Sequence, residues 1–423
     1  MGKDVARTTL ISPLLSVDHT KLKLWCKMGV LFSLALYISQ IPFPKHNAGV
    51  KSLALGCIAA FWLARMILER RFVFSRTRLW WPLLTFTLIT VISTIGSIDV
   101  AYSLHNIRKY TILSFFLFFA IVSNIRESKD IEILLFALLV STGLFSVLGL
   151  IDYLAFESSF GSRLDFPYFH TNVNRFAKLY DVVIPVNMAL ILVTNDKIKK
   201  TFLIIILLLS ISTILLMQTR GSCVVIFMGL VAITSVYRRK ILIGMLAIPF
   251  LFVIMMPTTM ATRAQEILRF EDYLKMGGPL HKRPNAWRGA LRIIAENPLF
   301  GLGVGKSNFG TAVKKFHDLD YRQDHAHNTY LQISVETGLI GLAAFLWLFG
   351  SFFYHGFKHY LSLPRHDEKA ILLFGILCGI GGLFVHGLIS HFYKHEAFYA
   401  LWVMVALVVT IIEGHRDTLK GVK

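Results

Sequence analysis

The sequence predicts an all-α integral membrane protein. Three observations carry this. Of 423 residues, 55% are hydrophobic, and the mean hydropathy is +0.60, far above that of a soluble domain. The apolar residues gather into runs long enough to cross a bilayer as helices. Most of the basic residues fall in short loops between those runs, in alternate loops that lie on one side.

The elements follow in order. Twelve spans are expected, at about 28–42, 52–68, 79–98, 108–123, 131–153, 176–194, 201–218, 222–237, 241–257, 331–354, 370–389 and 397–413. Residues 1–26 are polar and basic, with no short apolar core before a small-residue cleavage site. They do not read as a cleavable signal peptide. Lys3, Arg7, Lys21, Lys23 and Lys27 precede the first span. Arg65, Arg70, Arg71, Arg76 and Arg78 stand at and just after the end of the second, and Arg126 and Lys129 after the fourth. Lys197, Lys199 and Lys200, then Arg238, Arg239 and Lys240, then Lys358, Arg365 and Lys369 continue the alternation, and the tail has Arg416, Lys420 and Lys423. With twelve spans all of these lie on one side, so both termini are expected to be cytoplasmic. The chain then divides into a membrane bundle at 1–257, a large outer loop with short helices at 258–330, and a second bundle with its tail at 331–423. A shorter outer loop runs from about 154 to 175. Trp25, Trp80, Trp81 and Trp402 stand near span ends, as interfacial anchors do.

The net charge of +19 would suit a nucleic-acid partner. No basic patch lies on a soluble domain, however, so no nucleic acid is expected. Cys26, Cys57, Cys223 and Cys378 show neither metal spacing nor a disulfide framework and read as small core residues. A secondary transporter would place broken helices and ionisable groups near the midplane, often in repeated halves. Here the polar groups collect at one face and no halves match.

Asp324-His325-Ala326-His327-Asn328 closes the large loop and opens a span. A histidine there sits at the membrane surface, where a lipid-borne and a water-borne substrate can meet. His327 is the candidate general base, since imidazole titrates near neutrality and can take a proton from a hydroxyl. The plainer alternative is a packing or capping histidine. His325 reaches the same site if the backbone is extended. The two could instead ligate a metal with Asp324 or Glu336, but their spacing is not that of helical zinc sites, and no metal is assigned. Asn328 reads as a helix cap.

Arg220 lies in the short outer turn Gln218-Thr219-Arg220-Gly221-Ser222. It faces either the bundle, as a functional cation, or the headgroups. A helix N-terminus there favours an anion. Within the large loop, Pro284 to Asn297 reads as an amphipathic helix. Trp287, Ala290, Leu291 and Ile294 share one face, and Arg288, Arg292 and Glu296 form a solvated ladder on the other. Arg283 lies one turn before Trp287 on the inward side. Its partner is either a phosphate, gripped bidentately, or Glu266, Glu271 or Asp272. Gly301-Leu302-Gly303-Val304-Gly305 lacks the strand and acidic residue of a nucleotide loop and reads as a turn allowing close backbone approach. In the shorter outer loop, Arg163, His170, Asn172, Asn174, Arg175 and Lys178 gather near Asp181 and could bind a diphosphate or sugar hydroxyls, or form a solvated loop. His386, His391, Lys394 and His395 form a similar cluster in the last outer loop.

The chain resembles the O-antigen ligase and polymerase family of bacterial membrane glycosyltransferases. The likeness rests on Gln218-Thr219-Arg220-Gly221 and on Arg283 with Trp287, Ala290 and Leu291. It rests also on Glu296-Asn297-Pro298-Leu299-Phe300-Gly301 with Gly303 and Gly305, and on His325-x-His327-Asn328 with Gly338 and Gly341. The resemblance implies a GT-C-like fold in the bacterial inner membrane, with the active site on the periplasmic face. It implies transfer of a glycan from an undecaprenyl diphosphate carrier without metal or cofactor. In the ligase branch the donor is undecaprenyl diphosphate-linked O-antigen and the acceptor is lipid A-core oligosaccharide. Polymerases and protein O-oligosaccharyltransferases share much of the pattern. By motif, Arg220 and Arg283 would grip the diphosphate and His327 would activate the acceptor hydroxyl. His325, Asn328, Arg163, His170, Asn172 and Arg175 are the expected substrate-binding residues. Arg288 faces the solvated side and receives no role.

Overall fold

The computed structural model describes residues 19–43, 47–156, 164, 173–240, 242, 282–316, 325–393 and 396–421, and all regular structure among them is helical. The helices are α1 His19–Ser39, α2 Ala48–Glu69, α3 Trp80–Ile92, α4 Val100–Asn106, α5 Leu113–Asn124, α6 Ser128–Phe156 and α7 Val173–Val193. They continue with α8 Lys197–Leu216, α9 Arg220–Tyr237, α10 Lys282–Glu296, α11 Lys306–Val313, α12 Thr329–Ser362, α13 Glu368–His386 and α14 Glu396–Gly421. A π-helical stretch, Ile107–Ile112, joins α4 to α5. Ten stretches among the described residues are long and apolar enough to cross a membrane. The chain is a multi-pass, all-α membrane protein. The span expected at 241–257 lies, apart from residue 242, outside the described residues.

The span expected at 79–98 is shorter. Helix α3 has 13 residues, about 20 Å of rise against a hydrocarbon core of about 30 Å. It ends because Ser93 and Thr94 turn their hydroxyls back onto the carbonyls of Thr90 and Val91, and Gly96 follows. The helix and these turns still traverse the bundle. Arg78 at one end meets His355 at 3.2 Å, while a side chain on Gly303 would strike Ser97 at the other. The span expected at 108–123 begins earlier, at Val100, because Asp99 caps it by accepting from the Tyr102 N–H at 2.9 Å.

Helices α7 and α14 form the centre. Helix α7 is buried from Phe176 to Ile191, and α14 from Ala397 to Ile412 apart from Tyr399. Helix α13 lies close on α7 because Gly375 and Gly379 face it. A side chain at Gly375 would collide with Ala189, and one at Gly379 would come within 2.8 Å of the Val182 carbonyl. Small residues four apart are how membrane helices approach closely without a hydrophobic drive. Outside this bundle, Ala286, Ala290 and Ile293 of α10 pack with Phe309, Ala312 and Val313 of α11, with Ala326, and with Val335 of α12. The end of the large loop and the start of α12 therefore share one small core.

Candidate active site

Helix α12 is broken near its start. Gly338 has φ +70° and ψ −177°, separating a short segment from the long span. The break frees backbone groups, which the glycine-rich stretch satisfies. Leu302 and Gly303 donate to the carbonyls of Val335 and Glu336 at 2.9 and 3.0 Å, and Leu339 donates to the Pro298 carbonyl at 2.8 Å. Gly301 and Gly303 stand at φ +67° and +82°, where only glycine is unstrained. The expected close approach of backbone is thus present, and the neighbour approached is the broken helix. Asn308 of α11 fastens the other side. Its amide nitrogen donates to Ser97 and Ser103 at 3.0 and 2.9 Å, and its oxygen accepts from the Asp99 N–H at 3.0 Å.

The histidine loop sits on this support. Ala326 N–H donates at 2.9 Å to the Gln332 side chain, which donates in turn at 2.8 Å to the buried Glu336 carboxylate. This pins the peptide between the two histidines. His327 takes φ +50°, a left-handed conformation that costs a non-glycine residue about 1 kcal/mol or more and persists only where its surroundings impose it. The His325 and His327 rings lie 4.2 Å apart between centroids, and His391 is 5.6 Å from His325. Both loop histidines are half-buried. Asn328 caps α12 as read from the sequence, accepting from Tyr330 and Leu331 at 2.9 and 3.0 Å. Its amide nitrogen donates to the Leu388 carbonyl at 2.8 Å, so both ends of the amide hold the loop.

The loop 386–392 joins the histidines to the arginine turn. It receives Asn328 at Leu388, Thr329 N–H at Gly387 at 2.8 Å and Thr329 Oγ1 at Ser390 at 3.0 Å. On its other side His386 lies against Gly221, one residue after Arg220. Arg220 is the first residue of α9 and is exposed, following Gln218 at φ +50°. It makes no hydrogen bond or ion pair among the described residues. Helix α7 staples the loop at both ends. Asp181 Oδ2 meets His386 Nδ1 at 2.6 Å, and Lys178 Nζ donates to the His391 carbonyl at 2.7 Å. Lys178 and Asp181 are both buried, and Lys178 feels the charges of Asp181, Glu396, Arg175 and Arg283. This stapling was not read from the sequence. The available signal was two ionisable residues one turn apart in an apolar helix.

Helix α10 presents Arg283 half-buried, in line with the buried Ala286 and Ala290, while Arg288 is exposed. The apolar face is rotated from the expected one. Ile293 is buried, whereas Leu291 is 56% exposed, because the core under α10 lies toward α11 and the start of α12. Arg292 lies over the Phe316 ring at 5.4 Å. Arg175 grips Glu396 through two hydrogen bonds of 2.6 and 2.7 Å, so its guanidinium holds α7 to α14. Arg163, His170, Asn172, Lys394 and His395 lie outside the described residues. Among the described residues no three His, Cys, Asp or Glu side chains converge as a metal site.

The site can therefore offer an imidazole at a strained, accessible loop and an exposed guanidinium at a helix N-terminus, both fixed to one connecting loop. Residues 205–346 match the family model described as O-antigen ligase. A candidate polysaccharide ligase of Rickettsia bellii (strain RML369-C) is 42% identical over 69 residues, 15% of this chain and 17% of the relative. Another from Rickettsia conorii (strain ATCC VR-613 / Malish 7) is 26% identical over 196 residues, 43% of this chain and 44% of the relative. The matches span less than half the length of either relative. The stretch that matches the O-antigen ligase model, 205–346, holds Arg220, Arg283, the glycine-rich segment and both loop histidines.

Proposed function

We propose that this chain is a metal-independent inverting glycosyltransferase. It transfers O-antigen polysaccharide from undecaprenyl diphosphate to a sugar of the lipid A-core, at the periplasmic face of a bacterial inner membrane. The observation that carries this is the strained His327 beside His325 on a loop fastened to the turn of Arg220. The domain organisation proposed with it is a bundle at 1–257, an outer loop at 258–330 and a bundle at 331–423, with both termini cytoplasmic.

In this reading the acceptor hydroxyl attacks the anomeric carbon. The new C–O bond forms as the bond to the carrier's phosphate oxygen breaks, inverting the centre. His327 takes the hydroxyl proton, an assistance worth about 10²–10⁴-fold. Charge grows on the departing diphosphate, and Arg220 and Arg283 neutralise it. Electrostatic stabilisation of that kind is usually the largest catalytic contribution. Arg163, His170, Asn172 and Arg175 remain proposed contacts to diphosphate or sugar. His325 and Asn328 hold and orient the base.

The polymerase branch would use the same groups with a second lipid-linked repeat as acceptor. The lipopolysaccharide of a deletion strain separates the two. Loss of every capped core is expected for the ligase, and a core carrying a single repeat would assign the chain to the polymerase branch. Unchanged lipopolysaccharide would reject both.

A further inference from the structure

We infer that Asp181 and His386 are positioning residues for Arg220, acting through Gly221. The inference rests on the proposed role of Arg220 as a diphosphate ligand. Asp181 is 1% and His386 4% exposed. The 2.6 Å contact of Asp181 Oδ2 with His386 Nδ1 places the proton on Nδ1 and fixes the ring plane, as carboxylate partners of histidines do elsewhere. The far edge of the ring then lies against the turn. A side chain on Gly221 would come within 2.7 Å of Nε2 and 3.1 Å of Cδ2. Ser222 Oγ stands 3.4 Å from Nδ1. The imidazole thus occupies the space where residue 221 would carry a side chain, and it sets the height of the helix start that bears Arg220.

Stability alone does not account for this pair. A buried ion pair or carboxylate–imidazole pair costs desolvation that about cancels its attraction, and apolar replacements of similar size are often neutral or stabilising. Glycine in the first turn of a helix also costs up to about 1 kcal/mol against alanine. Both costs fall at one place, directly behind an exposed arginine with no partner among the described residues. A long side chain that must meet a diphosphate gains from a fixed root, since a displacement of about 1 Å can cost about 10²-fold.

The test uses the full chain purified in nanodiscs, with undecaprenyl diphosphate as the probe and its Kd as the readout. Thermal unfolding verifies that each variant is folded. Arg220→Ala should weaken binding. Asp181→Asn, His386→Ala and Gly221→Ala should each weaken it about tenfold, equivalent to about 1.4 kcal/mol. Two couplings distinguish positioning from general packing. In an Arg220→Ala background, His386→Ala should add no further loss. In a His386→Ala background, Gly221→Ala should add none either, because the new methyl enters the space the ring has left. Gly221→Ala keeps the buried pair intact, so it reports even where His386→Ala unfolds. Normal binding by Gly221→Ala, or independent losses in the double variants, would overturn the inference while leaving Arg220 in place. Wild-type binding by Arg220→Ala would remove the diphosphate role and the inference with it.

Discussion

Gly338 turns its bare α-carbon onto the carbonyl of Leu299, close enough that any side chain there would collide with the backbone. The contact joins the broken start of α12 to the glycine-rich segment 298–303. Gly338→Ala would add a backbone strain of about 1–3 kcal/mol, since φ +70° with ψ −177° is a conformation that essentially only glycine adopts, to an overpacking cost of about 1–3 kcal/mol. A fall of several degrees in Tm is expected, with activity lost. An unchanged Tm would mean that the segment is not fastened there.

Arg220→Ala and Arg283→Ala should abolish glycan transfer while protein level and Tm persist. Lysine at either position should rescue poorly, since it lacks the bidentate fork. Arg288→Ala, on the exposed face of α10, should retain nearly full activity. Full transfer by Arg283→Ala would take that residue out of the site.

His327→Ala should still bind the carrier-linked glycan and fail to transfer it. His325→Ala should be milder, because a neighbouring ring orients more than it reacts. Activity should decline as pH falls and imidazole becomes protonated, since a protonated base cannot accept the hydroxyl proton. Chelators should leave the rate unchanged. Loss with EDTA and recovery with a divalent metal would reassign the histidines as ligands.

Arg175 and Glu396 invite a double-mutant cycle. Arg175→Ala leaves a carboxylate only 5% exposed without its partner and should cost more stability than the pair Arg175→Ala with Glu396→Gln. A coupling of about 1 kcal/mol is expected, modest because Arg175 is one-third exposed. Additive losses would show that the pair contributes nothing.

Single cysteines in a cysteine-free background test orientation. Impermeant thiol reagents in intact cells should label the 258–330 loop and not the 238–240 loop. Strong labelling at 238–240 would invert the proposed topology.

Much of this was legible in the sequence because it depends on local chemistry. The apolar runs and the Asn328 cap are set by neighbouring residues, and the close approach of 301–305 follows from glycine spacing. What was not legible depends on distant partners. Asp181 and His386 stand 205 positions apart, and nothing near either one announces the other. The break at Gly338 lies in an apolar stretch that reads as one helix, since its freed carbonyls are satisfied by residues more than thirty positions earlier. The Arg175–Glu396 pair was hidden for the same reason, since Glu396 belongs to the last helix.

The bonds from 298–303 to α12 run from backbone to backbone. Leu299 and Phe300 are 58% and 41% exposed. The seam is therefore stitched independently of the side chains that cover it. Those side chains can be exchanged to alter what the outer surface presents to a sugar or a lipid, and the stitching beneath would keep its register.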